Sequence, residues 1–411
     1  MICYHASWVL PISEPPIRDG WVLVDDDHIV ACGDDAHPRP RDQSAHDVDL
    51  GRTAVMPGLV NAHTHLELSY LHGRVRGGST FVEWIRGVID ARRQRVDPTA
   101  PEILDGIDRG IADSLRSGTA LIGDVSNTLV PFAPLARSPL AAVAFHELIG
   151  FNLSDPAAFV ERARAGMEAS RETRQVRASL AAHAPYSVAP ALFRAIRAAM
   201  RRRPFLPCSV HLAESADETE FVRTGRGEWR ALLEDVGAWN PTWTPPAVSP
   251  VEYLEQCGFL WERVLAVHGV HMTTSDLGRV AACGATLVAC PRSNQYTGAG
   301  KPPIEAFYRS GARVAVGTDS LASAPDLNVF AELAAMHALA PAVPAARLLE
   351  SATREGAHAL AFDGDLGTIE SGKTARLIGV DIPPGVGDVE EYLVSGIEPE
   401  QIRWIRRAID D

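Results

Sequence analysis

Nowhere does the chain run to about 18 consecutive apolar residues, so no membrane-spanning helix is expected. The opening "MICYHASWVLPISEPP" lacks a basic leader ahead of an apolar segment, so export is not expected and the cytoplasm is the expected compartment. Cysteine is scarce: Cys3, Cys32, Cys208, Cys257, Cys283 and Cys290 are the only six in 411 residues, and no two form a CxxC pair. That excludes a disulfide framework and a thiolate zinc site, and leaves reduced, buried thiols. Positive charge is also short, with 39 Lys and Arg against 52 Asp and Glu and a net charge of -13. A phosphate-reading surface needs concentrated Lys and Arg, so no nucleic-acid partner is expected. The one dense patch, "RRR" at 201–203, reads as solvated charge at a helix end.

The 46% hydrophobic content suffices for a substantial core. Two textures divide the chain. The first residues, "ICYHASWVLP", "GWVLVDDDHIVACG" and "TAVMPG", have the alternation and glycines of short antiparallel strands, and that texture returns after "AHALAFDGDLGTIESGKTARLIGVDI". Neither end alone can bury a secure core, so residues 1–55 and 362–411 are expected to pair as one small β-sandwich. Between them, over 56–361, short apolar runs alternate with helix-like stretches such as "APALFRAIRAAMRRR". The expected strands are 58–63, 119–126, 140–148, 175–183, 206–214, 263–269, 285–291 and 313–319. Eight strand–helix units over this length suit a closed (β/α)8 TIM barrel, an α/β fold; an open doubly wound sheet uses the same elements but is normally smaller.

Polar residues share one placement on this frame. His63 and His65 in "MPGLVNAHTHLELSYLHG", His183, His211, His268 and Asp319 all stand at or just beyond predicted strand ends. In a barrel those ends converge on the face that carries active sites. A lone His-x-His pair is a weak signal, but "SVHLAES" adds His211 and "AVGTDS" adds Asp319. Three neutral nitrogens and one carboxylate oxygen suit zinc, and also suit iron(II) or another divalent first-row metal. No strand-end lysine offers itself for a carbamate bridge, so one metal is expected rather than two. Taken singly, each of these residues reads equally well as a loop hydrogen bond or a cap.

This constellation resembles the amidohydrolase superfamily, especially its cyclic-amidine and purine deaminase branch. The likeness runs through "PGLVNAHTHLELS", "HAPYSV", "HLAES", "VHGVH", "CPRSN" and "GTDSLAS" to "GTIESGKTA". It implies that His63, His65, His211 and Asp319 bind one catalytic metal. Glu214, three residues past His211, can turn back into the same cavity, and the resemblance makes it the proton shuttle between water and a ring nitrogen; an exposed carboxylate at a helix start is the bland alternative. His268 matches the position that orients the attacking hydroxide, and Asp319 would also move a proton to the leaving amine. The implied reaction is hydrolytic deamination of an adenine-like base. Within the branch the motifs look most like deaminases acting on 6-amino-6-deoxyfutalosine in menaquinone biosynthesis.

Other residues on the same face are candidate substrate contacts. Glu67 can accept from a sugar diol or sit in a loop ion pair; Trp84 can cover a planar base or pack in the core. His183 resembles a substrate-contacting position in nucleoside-type deaminases, while Arg292 and Asn294 can read polar substituents or only pack a loop. The excursion at 215–254, rich in Trp, Pro and Gly, can roof the cavity or cover a subunit interface. The expected partner is a small heteroaromatic or nucleoside-like substrate, and homodimers are familiar in the family. Rival readings are a deaminase of another purine, a pterin or a 5′-modified adenosine, and an amide-cleaving or dechlorinating metallohydrolase. A degenerate binding barrel would have lost one of the six metal or proton-transfer residues, and all six are present.

Overall fold

The computed structural model describes residues 1–36, 45–77, 80–170 and 172–405, so parts of both predicted terminal segments (37–44 and 406–411) lie outside the described residues. The chain opens with β1 (Ile2–Val9), β2 (Ile17–Asp25), β3 (His28–Gly33), β4 (His46–Asp49) and β5 (Thr53–Pro57). Eight strands follow: β6 (Leu59–Thr64), β7 (Thr119–Ser126), β8 (Ala141–Leu148), β9 (Val176–Ala182), β10 (Cys208–Leu212), β11 (Val264–His268), β12 (Thr286–Ala289) and β13 (Arg313–Val316). The chain returns to strand in β14 (Leu377–Asp381) and β15 (Ile402–Trp404).

Those last two strands join the first five in one mixed sheet of order β15-β14-β5-β1-β2-β3, with β4 beside β1. The small domain is therefore assembled from both ends of the chain, as the two matching textures predict. Its core is Tyr4, Val9, Val22, Ile29, Val55, Ile369 and Leu377.

The eight central strands form one parallel sheet in chain order, β6 to β13. Their residues are almost all buried on both faces, as expected where helices cover the outside and side chains fill the inside. The sheet curls into a nearly closed barrel. At its C-terminal rim the backbone N–H groups of Thr318 and Asp319 donate to the carbonyl of His63 at 3.1 and 3.0 Å, tying the segment after β13 to the end of β6. Ala141, Val143 and Phe145 of β8, Ala181 of β9 and Ala315 of β13 point into the barrel and pack with Leu360, Phe362 and Leu366. The latter close the N-terminal end, where Arg177 near the start of β9 donates to Ala361 O at 2.7 Å.

All eight predicted barrel strands are present. Several stop short of the predicted C-terminal end: 206–214 becomes Cys208–Leu212, and 313–319 becomes Arg313–Val316. At these ends the backbone turns: Ala213, just past β10, His268, the last residue of β11, and Asp319, beyond β13, adopt left-handed backbone, with φ of 52°, 77° and 58°. Such conformations are disfavoured for residues with a Cβ and cluster at functional sites.

Candidate metal centre and active-site cavity

Side-chain alternation along the strands brings several polar groups to the mouth. Glu147 continues the inward row of Ala141, Val143 and Phe145; His183 continues that of Ala181; Asp319 follows Ala315 by four residues. His63, in a strand with no exposed residue, is wholly buried, and His65 stands just beyond it.

Four of the predicted residues converge. His65 Nε2 is 3.3 Å from His211 Nε2, while Asp319 Oδ1 lies 3.6 Å from His65 Nε2 and 3.8 Å from His63 Nε2. The ring centroids of His63 are 4.8 Å from those of His65 and 5.0 Å from those of His211. Both ring nitrogens of His63 are buried without a hydrogen-bond partner. Burial, reinforced by the neighbouring imidazoles, lowers the His63 pKa well below its usual value, so its ring is neutral and keeps a lone pair. Buried polar atoms are rarely left unpaired, and a cation shared with Asp319 would satisfy Nε2, the nitrogen that faces the cluster. The donor set therefore fits one divalent first-row metal. The chain has only two lysines, Lys301 and Lys373; the first is exposed, and the second pairs with Thr368 and Glu370 beside the small sheet, so neither supplies a bridge.

Supporting contacts fix each group. His211 Nδ1 lies 2.9 Å from the carbonyl of His183, which orients its other nitrogen toward the cluster. The Ser293 and Ser323 hydroxyls donate to Asp319 Oδ2 at 2.6 and 3.2 Å, leaving Oδ1 to the histidines. Glu214 is buried, with Oε1 3.5 Å from His268 Nε2. Its turn is held by Glu218, whose carboxylate accepts the N–H groups of Ala213 and Glu214 at 2.8 and 2.9 Å. Burial, with Asp319 and Glu218 close by, raises the Glu214 carboxyl well above its usual range. Burial pushes His268 down to about 3, so its imidazole is neutral.

The cluster opens into a cavity of about 840 Å³. Trp84, His183, His65, His211, Glu214, His268 and Asp319 all line it, together with Glu147, Tyr186 and Trp229. The excursion predicted at 215–254 supplies one wall through Trp229, Leu232, Leu233 and Val236 of the helix Glu228–Asp235 and the residue after it. The helix Phe81–Arg93, which packs on that helix through Phe81 and Trp229, supplies the adjoining wall.

Three candidate substrate contacts are engaged elsewhere. Glu67 does not line the cavity: Arg92, Ser126, Thr128 and the Asn127 N–H donate to its carboxylate at 3.1, 2.7, 2.7 and 3.1 Å. The loop ion pair is thus its observed state. Arg292 is tied to Asp326 at 2.8 Å and to the buried Glu332 at 3.6 Å, off the cavity wall. Asn294 is buried behind His268, its amide nitrogen 2.9 Å from Nδ1; with that nitrogen donating, the His268 proton sits on Nε2 and faces Glu214. Glu147 and Tyr186 were not singled out from sequence. Glu147 was within reach of the strand-end rule that picks out the histidines, because "AFHELIG" places it next to last in β8.

A nearly closed parallel barrel with three imidazoles and a carboxylate meeting at its C-terminal mouth defines a metal-dependent hydrolase. Residues 54–400 match the Amidohydrolase family, and the chain belongs to that family. It is 30% identical over 379 residues to the 5-methylthioadenosine/S-adenosylhomocysteine deaminase of Nitratidesulfovibrio vulgaris (strain DP4), covering 89% of this chain and 80% of that protein. It is 31% identical over 353 residues to the aminodeoxyfutalosine deaminase of Deinococcus radiodurans, covering 82% of this chain and 80% of that one. The crystal structure of a zinc-bound adenosine deaminase from Xanthomonas campestris superposes with a TM-score of 0.81 at 28% identity, covering 98% of this chain and 90% of that chain.

Proposed function

We propose that the protein hydrolytically deaminates the adenine-like base of a nucleoside carrying a modified 5′ end, with 6-amino-6-deoxyfutalosine the first substrate to test. The observation that carries this reading is Glu214: a buried carboxyl with a raised pKa, set against His268 beside the histidine–aspartate cluster. Deamination of an aromatic amidine needs a group that both takes a proton from water and returns one to a ring nitrogen. Relatives that deaminate 5-methylthioadenosine or aminodeoxyfutalosine support the substrate class.

His63, His65, His211 and Asp319 would hold one divalent cation, zinc in the first instance, whose Lewis acidity makes water a nucleophile near neutral pH. Glu214 takes the proton that water gives up and hands it to the ring nitrogen. His268, neutral and held by Asn294, offers its Nε2 proton to the charge that develops as water oxygen adds to the amino-bearing carbon. Asp319 passes the second water proton to the exocyclic nitrogen. The carbon–nitrogen bond then breaks, giving ammonia and a lactam. Trp84, Tyr186 and Trp229 supply flat apolar faces for the base.

The cavity is sized for a drug-sized ligand and exceeds what a bare purine fills. Val96, Ile149 and Val236, among the exposed large hydrophobic side chains, line it, and so do Arg92, Arg93 and Arg95. This mixed lining leaves room for a substrate extended beyond the sugar. 5′-Methylthioadenosine is the second reading, favoured by the relative from Nitratidesulfovibrio vulgaris. The aminofutalosine reading would set the protein in menaquinone biosynthesis, in the cytoplasm, with a homodimer the expected assembly. The test is ammonia release by the metal-loaded protein from aminofutalosine, 5′-methylthioadenosine, adenosine, guanine, pterins, simple amides and halogenated triazines. Release from the 5′-modified adenosines supports the proposal; turnover confined to amides or halogenated rings refutes it.

A further inference from the structure

We infer that Glu147 is the hydroxyl acceptor of the cavity, binding the sugar hydroxyls of the substrate and selecting a nucleoside over a free base. This rests on the deaminase reading and adds a specificity residue to it. Glu147 is only 6% exposed, yet it lines the cavity. Its Oε2 accepts from Asn127 Nδ2 at 2.9 Å, and its Oε1 has no hydrogen-bond partner. A carboxylate offers about four acceptor positions, so most of its capacity is unused. An unpaired buried carboxylate is costly, which is expected where a ligand completes it.

Its neighbours leave that capacity free. His211 Nδ1 lies 3.5 Å from Oε1, but the same nitrogen is 2.9 Å from the carbonyl of His183, which is the better placed acceptor of its proton. Arg92 stands one residue removed, donating to Asn127 Oδ1 at 2.9 Å and to Glu67. Glu67, the other carboxylate near this wall, is saturated by four donors and cannot take a diol as well. Glu147 borders the histidine cluster, its carboxylate within 4.8 Å of ring nitrogens of His183 and His211, and the same cavity is lined by the apolar Phe151, Leu233 and Val236. Two neutral O–H donors would complete the carboxylate without adding a charge to the cavity.

The experiment compares the zinc-loaded wild type with Glu147→Gln on 5′-deoxyadenosine, on its analogue lacking the 2′ and 3′ hydroxyls, and on adenine, with kcat, KM and metal content measured for each. The wild type should favour the diol-bearing nucleoside by roughly tenfold or more, mainly through KM. In E147Q that preference should shrink below about threefold through a rise in KM, with metal content at the wild-type level. The wild-type arm needs no variant to fold. Equal handling of the two nucleosides by the wild type, or an unchanged preference in E147Q, overturns this inference alone. Loss of metal in step with activity also overturns it, since Glu147 would then be positioning His211. A wild type that deaminates adenine but no adenine nucleoside overturns both this inference and the substrate proposed above.

Discussion

Gly317 has no side chain because none fits. A Cβ there would meet His63 Cβ at 2.8 Å, His63 O at 2.9 Å and Cys290 Sγ at 3.0 Å. Gly317→Ala should therefore push His63 out of place and weaken metal binding about 10–100-fold, the usual cost of disturbing a ligand's support; competition with a chelator measures it. Glu214→Gln should lower kcat by about 10²–10⁴-fold while metal content stays at the wild-type level; unchanged turnover would remove Glu214 from the mechanism. Asp124 gives a pH signature. Burial, with Glu67 nearby, pushes its carboxyl up to about 8 against one opposing hydrogen bond from Leu66 N–H. The folded state thus holds a proton that the unfolded chain releases near its ordinary value. Asp124 contributes stability that is fully present below about pH 4 and is lost as the pH rises through about 8. Asp124→Asn, which keeps the acceptor for Leu66, should flatten the fall in Tm between pH 5 and pH 8.5, approximately the span of that titration; an unaltered slope counts against it.

Elements were the most legible scale. Short runs of small and β-branched residues, such as "VLAVH" and "TLVA", bounded by helical stretches, marked all eight barrel strands. The four candidate metal ligands were legible as a group for the same reason, since each lies near or just past the end of a strand. What periodicity could not reach was direction at the strand ends: His268 follows the inward Val267 by one residue, and its left-handed backbone swings in a side chain that alternation alone would point outward. Nor could it show that distant hydroxyls and an arginine saturate Glu67, or that Asn294 faces His268 rather than the cavity. The roof was legible only as an excursion. Trp229 stacks on Tyr186 at 3.5 Å and tilts against Phe81, joining the helices Glu228–Asp235 and Phe81–Arg93. Trp229→Ala should cost about 3–5 kcal/mol, read as a clear drop in Tm. The exposed Arg86–Asp235 ion pair joins the same helices at 2.7 Å, but it faces water and should contribute under about 1 kcal/mol. Arg86→Ala should barely move Tm.

At the scale of the molecule, the two chain ends meet in one sheet, with β5 held between β1 and β14. Trp404 of β15 then reaches the barrel, its indole N–H donating to Leu115 O at 2.9 Å. The rim that carries the ligands is closed by segments far apart in sequence, His63 on one side and Thr318–Asp319 on the other. The four donors can thus share a cation only in the finished barrel. Elemental analysis of the purified chain beside its His63→Ala and His211→Ala variants measures this directly. About one divalent metal ion should bind per wild-type chain, the stoichiometry of a mononuclear site, and each variant should fold and bind almost none. A wild type that binds two, or variants that retain a full equivalent, would contradict a single ion held by His63, His65, His211 and Asp319.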